Sequence, residues 1–195
     1  METHFHDLRI LCENRRSCRE YKQDPIPQDA VKKIISIASL SPYAGGRKNW
    51  GIIELSDKGQ IKALASAIEE EVMEVASSME NATAEMFKKY ALSFNFFSEA
   101  PLLLIPYFRV TPVMKILLGD SVKESQLKWE RDNSVKSISC VSMLILLAAE
   151  SLGLGACYMT GPLIAEKRVS EIVPIPPGRE AGAIIPIGYP LKTLK

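Results

Sequence analysis

The chain has 195 residues, 47% of them hydrophobic and 24% charged, and its 24 basic and 23 acidic side chains leave a net charge of +1. That balance excludes a broad basic footprint for nucleic acid or anionic membrane, so any basic cluster is a local site. Four cysteines without a Cys-x-x-Cys pair, and only two histidines (His4 and His6), exclude the common zinc and redox motifs. They predict free thiols, no metal and a cytoplasmic protein.

Phe5, Leu8, Leu11 and Cys12 recur at helical spacing and predict a first helix. It runs into Arg15-Arg16-Ser17-Cys18-Arg19, three guanidinium groups and a hydroxyl within five residues. Arg presents a planar fork of donors that fits phosphate oxygens. The same residues at a helix C-terminus also cap free carbonyls and complement the helix dipole, so the cluster reads either as a phosphate clamp or as charged surface.

Asp24-Pro25-Ile26-Pro27 breaks the pattern. A second helix is predicted from Gln28 to no later than Ser41, with Val31, Ile34, Ile35 and Ala38 on one face and Pro42 as its stop. The loop from Pro42 to Trp50 carries Gly45 and Gly46, and Gly51–Ser56 reads as a strand. Asp57 and Gln60 stand at capping-box spacing before a helix that buries Ile61, Leu64, Ala65, Ile68 and Val72. Residues 74–99 continue as looser helix ending in Phe94, Phe96 and Phe97, which read as packing aromatics.

Ala100-Pro101 precedes an apolar strand, Leu102–Phe108, in which Pro106 predicts a sheet edge or an early end. Residues 109–130 show no clean period and read as a lid or binding segment. A long helix is predicted from about Asn133 to Leu152, stopped by Gly153-Leu154-Gly155. Its core run, Val141–Ala149, is too short to span a bilayer and predicts a buried helix rather than a membrane anchor. Ala156–Met159 reads as a short strand, Thr160-Gly161-Pro162 as a helix start, and Ala181–Ile187 as a last strand. No repeat or linker divides the chain, which reads as one domain over residues 1–195.

Gly153-Leu154-Gly155 is not a dinucleotide loop, because a helix precedes it and a strand follows it. There is no Gly-x-Ser-x-Gly elbow, and two histidines near the N-terminus leave no base for Ser–His or Cys–His catalysis. Chemistry of any difficulty therefore belongs to a bound cofactor.

Three stretches together resemble the nitroreductase family of FMN-dependent oxidoreductases. They are Arg15-Arg16-Ser17-x-Arg19-x-Tyr21 with Ile26-Pro27; Ala38-Ser39-Leu40-Ser41-Pro42 with Trp50 before a strand; and Leu147 to Cys157 followed by Ile187-Gly188-Tyr189-Pro190. The resemblance implies an α+β sandwich, a mixed and mainly antiparallel sheet flanked by helices, in an intertwined homodimer with FMN at its interface. It implies that Arg15 meets the FMN phosphate, with Arg16 and Ser17 on the phosphate and ribityl side and Arg19 at the pyrimidine edge. Pro42, Tyr43, Ala44 and Gly46 match the loop that reaches the flavin from the second subunit. The backbone of Met159, Thr160 and Gly161 matches the segment beside flavin N5 and O4. The family often continues past Gly-Tyr-Pro with a basic tail that completes the phosphate site; here only Leu191–Lys195 remains, with Lys192, then Lys195, as the candidates for the phosphate.

The implied activity is hydride transfer from NAD(P)H through flavin N5 to an electron-poor acceptor, a nitroaromatic or quinone, by ping-pong kinetics. It needs no side-chain acid or base, so no catalytic residue is named. Reductive dehalogenation, flavin fragmentation, or flavin binding without useful turnover are the alternatives on the same fold. Many family members carry Asn-x-Gln-Pro-Trp where this chain has Gly46-Arg47-Lys48-Asn49-Trp50, so the side-chain contacts expected there differ.

Overall fold

A computed structural model describes residues 2–46 and 48–192. Helices α1 (Glu2–Asn14) and α2 (Gln28–Ala38) lead to strand β1 (Trp50–Leu55). Helices α3 (Lys58–Ser77) and α4 (Asn81–Ala91) follow, and then a 3₁₀ stretch, Leu92–Glu99. Strand β2 (Leu102–Phe108), a short helix α5 (Val113–Leu118) and the 28-residue helix α6 (Glu124–Ser151) form the middle of the chain. Strand β3 (Gly155–Ala156), a 3₁₀ turn (Gly161–Ala165), helix α7 (Glu166–Ile172) and strands β4 (Glu180–Ala181) and β5 (Ile185–Gly188) complete it.

The sheet runs β1-β2-β5-β3, with β4 on the far end of β2, and every ladder is antiparallel. The bridge Ser17–Ala156 adds a parallel pairing. The fold is α+β, with helices on both faces of the sheet. Alternation along β2 explains why: Leu103 and Ile105 pack with α3 and α7 on one face, while Leu102, Leu104 and Phe108 pack with α2 and α6 on the other. A strand buried on both sides reads as a continuous apolar run, which is what this segment shows.

Local chemistry sets the helix ends. Asp57 Oδ1 accepts from Gln60 N at 2.8 Å and starts α3, whose buried residues include Ile61, Leu64, Ala65, Ile68 and Val72, as predicted. Gly153, at φ 72°, stops α6: Gly153 N donates to Glu150 O and Leu154 N to Ala149 O, each at 2.9 Å. This double bond pattern closes the last turn and satisfies carbonyls that the helix leaves free.

Several expectations are corrected. Pro106 is in the middle of the sheet, not at an edge, because it faces the break between β4 and β5, where its carbonyl accepts Gly182 N at 2.7 Å. The predicted strand 181–187 divides at the same break. Residues 74–99 are not one loosening helix: Ser77 Oγ and Ser78 Oγ take the carbonyls of Glu74 and Val75 at 2.6 and 2.7 Å, and α3 ends. Serine hydroxyls compete for helical carbonyls in this way.

Helix α6 begins at Glu124, not near Asn133, with Lys123 N donating to Gln126 Oε1 at 2.8 Å. The buried polar residues Glu130 and Ser134 interrupt its apolar period and hide its first turns in the sequence. By length and composition it could cross a bilayer, yet Ile138, Val141, Ile145 and Ala149 are fully buried against the sheet and α2. It is a core helix. The strand read over 156–159 covers only Gly155–Ala156, and the helix opened by Thr160-Gly161-Pro162 starts as a 3₁₀ turn. Helix α1 buries no residue in the single chain, and Phe5 and Leu8 are 69% and 51% exposed.

Asp57→Ala removes the cap of α3 and lowers stability by about 1 kcal/mol with an unchanged urea m-value, measured by chemical denaturation.

Candidate functional site

The Arg cluster is placed by pairing with residues far away in sequence. Arg15 N still bonds to Leu11 O at 3.0 Å as the last turn of α1 closes, and Cys18 N then donates to Ala156 O at 3.0 Å. Farther along, Lys22 N donates to Tyr189 O at 2.8 Å, and Tyr21 bridges Pro190. Cys18 and Tyr21 point into the core, and the Tyr21 hydroxyl donates to Cys18 O. Arg16, Ser17 and Arg19 are left on the outer side, with Arg15 half-buried among them. Gly155 is required beneath this segment, since a Cβ there would meet Cys18 Sγ at 2.6 Å.

Arg15 and Ser17 form one wall of a cleft of about 470 Å³, and Ser139, Met143 and Leu146 of α6 form the other. Tyr158 closes this cleft and also lines an adjoining hollow of about 180 Å³ between Arg19, Phe94, Phe96 and the chain from Met159 to Gly161. Arg19 lies over the Phe96 ring, 5.6 Å from its centroid. The structure therefore brings Arg15, Ser17, Arg19, Met159, Thr160 and Gly161 together. Met159 is pinned by paired bonds with Ile184 of 3.1 and 2.9 Å. The first bond of the following turn runs from Leu163 N to Thr160 O, so the amides before it have no partner within that turn.

Arg15 and Arg19 make no ion pair among the described residues. Both guanidinium groups lie close to the Cys157 thiol: burial pushes that thiol up, while the Ser17 hydroxyl, Arg19 and Arg15 pull it back. The Cys18 thiol is raised, chiefly by burial, and Tyr21 is pushed well above the usual phenol range by burial beside the two thiols. Both cysteines are thus protonated packing groups under the site rather than nucleophiles.

Arg16 behaves differently from its neighbours. Its Nη1 donates to Glu13 O at 2.6 Å and Arg15 O at 3.2 Å, which is the carbonyl-capping role. Lys192 pairs with Glu20 Oε2 at 2.8 Å on the exposed surface, and Lys195 lies outside the described residues. Pro42, Tyr43, Ala44 and Gly46 stand elsewhere: Ala44 N donates to Ser137 Oγ at 3.0 Å, and Tyr43 and Ala44 line a different cavity beside Asn49 and Glu130. Tyr158, Ser139, Met143 and Leu146 were missed in the sequence. The last three recur at i, i+4 and i+7 on the side of α6 flanking its core stripe, with Leu146 itself in the buried cluster, a legible signal once that helix is fixed.

The nitroreductase family model matches residues 12–189. The chain belongs to the nitroreductase family. An iodotyrosine deiodinase of Hydra vulgaris is 27% identical over 191 residues, covering 95% of this chain but only 66% of that protein. The solved structure of a BluB-like flavoprotein from Clostridium difficile superposes with a TM-score of 0.84 at 21% identity, covering 96% of this chain and 92% of that one. An FMN-dependent nitroreductase from Clostridium difficile superposes with a TM-score of 0.65 at 22% identity, covering 95% and 88%. This nitroreductase-family chain shares the fold of both.

Gly155→Ala drives a methyl into Cys18 and lifts residues 15–19 from the sheet; the urea midpoint should fall by the equivalent of about 1–3 kcal/mol, the cost of overpacking a filled site.

Proposed function

We propose that this chain is an FMN-dependent oxidoreductase that takes its reducing equivalents from NAD(P)H and works as a cytoplasmic homodimer. The observation that carries the reading is one site that joins the N-terminal segment Arg15–Arg19 to the backbone at Met159–Gly161 across Tyr158. Arg15 and Ser17 supply an anion-binding end, and Arg19 with the backbone at Met159–Gly161 supplies a polar edge, joined at Tyr158.

The residues present fit FMN. Its phosphate needs cations that are not already neutralised, and the guanidinium groups of Arg15 and Arg19 have no ion pair among the described residues. Its flat ring needs an apolar wall, and Met143 and Leu146 provide one. FMN, when bound, supplies the two-electron chemistry: it accepts a hydride from NAD(P)H and passes it to an electron-poor acceptor such as a nitroaromatic or quinone.

The chain's own residues bind and orient. Arg15 and Ser17 hold the phosphate end by charge-assisted hydrogen bonds. A fixed cation at Arg19 favours negative charge that develops near it, and its seat on the Phe96 ring keeps it in place. Arg16 acts mainly as the cap of α1, and Lys192 is the weaker phosphate candidate because Glu20 already engages it.

The separate position of Pro42, Tyr43, Ala44 and Gly46 supports a site shared between two copies, in which that loop serves the partner's flavin. The uncovered apolar face of α1, with Phe5 and Leu8, supports the same assembly. A second chemistry, reductive dehalogenation, is favoured by the likeness to the iodotyrosine deiodinase. Turnover with an iodinated phenol against turnover with a nitroaromatic separates the two.

Arg15→Ala should weaken FMN by about 10–100-fold, the worth of one or two charged hydrogen bonds, and riboflavin by less than about threefold. Fluorescence titration of both flavins measures this, and equal weakening would remove Arg15 from the phosphate.

A further inference from the structure

Beneath the Pro42–Gly46 loop lies a cavity of about 480 Å³ whose wall includes Tyr43, Arg109, Met114, Trp129 and Glu130. Its volume is that of a small-molecule pocket. Glu130 is the decisive residue. Only 8% exposed, it reaches from α6 so that Oε1 accepts Met114 N at 2.7 Å, at the start of α5. Its second oxygen, Oε2, is buried and has no hydrogen-bond partner among the described residues. The Tyr43 hydroxyl, on the same wall, is also buried, beside the Ser134 hydroxyl but with no well-formed hydrogen bond among the described residues.

Nearby cations do not answer this carboxylate. Arg131, its neighbour in sequence, is committed to Glu180 through Nε at 2.8 Å and Nη2 at 2.7 Å. Lys48 lies over the Trp50 ring, 6.0 Å from its centroid. Arg109 is exposed and forms no ion pair with Glu130 among the described residues, so solvent and salt screen its charge. A buried carboxylate oxygen without a donor is costly, and such groups persist where a ligand supplies the donor.

We propose that this cavity binds a small organic cation, a primary amine or ammonium group on an apolar or aromatic body. Glu130 Oε2 is its charge partner and the Tyr43 hydroxyl its second acceptor. An ammonium group has three donors and no acceptor, matching two unpaired buried oxygens. The Trp129 indole offers a face for the cation or for an aromatic body, and Val113 and Met114 give an apolar floor. The inference rests on Glu130 rather than on a bound flavin, although Tyr43 belongs to the loop proposed to serve the partner's flavin.

Isothermal titration calorimetry of the purified full-length protein with 2-phenylethylamine and with 2-phenylethanol tests it, because the two differ only in the charged group. The amine should bind at least about tenfold more tightly, as a charged hydrogen bond implies. Glu130→Gln keeps an oxygen for Met114 N but removes the charge; it should abolish the preference and leave the alcohol unchanged. Tyr43→Phe should weaken the amine about threefold, the worth of one neutral hydrogen bond. The wild-type comparison needs no variant, so a poorly folded Glu130→Gln does not rescue the idea. Equal affinity for amine and alcohol, no binding of either, or a preference that survives Glu130→Gln overturns it. Unchanged FMN content and NAD(P)H oxidation in Glu130→Gln would show that the oxidoreductase reading stands even if this one falls; Tyr43→Phe is left out of that comparison because its loop is assigned to the partner's flavin.

Discussion

The structure depends on the docking of residues 17–22 along the end of the sheet. Two backbone bonds, Cys18 N to Ala156 O and Lys22 N to Tyr189 O, tie the N-terminal segment to parts of the chain well over a hundred residues later. Tyr21 and Cys18 bury their side chains under that seam, and Gly155 leaves them room. Alternation along an extended segment does the rest: with Cys18 turned in, Ser17 and Arg19 are turned out. The charged cluster is thereby fixed in register against Met159–Gly161, which is what a preorganised anion site requires.

The helix α6 serves two faces of the same architecture. One stripe, Ile138, Val141, Ile145 and Ala149, packs on β2, β5 and α2. The side flanking it carries Ser139, Met143 and the core residue Leu146 to the cleft, while its first turns carry Trp129 and Glu130 to the cavity under the loop. Core stability and both candidate binding surfaces therefore share one rigid element. Burial raises both nearby thiols, Cys18 and Cys157, and Cys157 lines the hollow beside Arg19.

Much of this was legible in the sequence where local chemistry is strong. The Asp57 cap, the Gly153 stop, the stripe of α3 and the two-sided burial of β2 follow from residue type and spacing. The Arg cluster was legible as a cluster, yet its sequence could not tell the phosphate clamp from the helix cap. In the structure Arg16 caps α1, while Arg15 and Arg19 line the two hollows without an ion pair among the described residues. Tertiary effects account for what was not legible. Pro106 is tolerated centrally because the sheet is interrupted opposite it, and the first turns of α6 were hidden because Glu130 and Ser134 are buried polar residues where an apolar period was expected. Tyr158 joins the two halves of the site only after the 156–159 segment is shortened to two paired residues.

The most direct test of the oxidoreductase account is the visible absorption spectrum of the purified protein, before and after FMN is added, followed by NADH or NADPH under anaerobic conditions. The account predicts a bound-flavin band that bleaches when the pyridine nucleotide is added. A protein that stays colourless and ignores FMN would contradict it, leaving the fold in place and the Arg15–Arg19 cluster as charged surface.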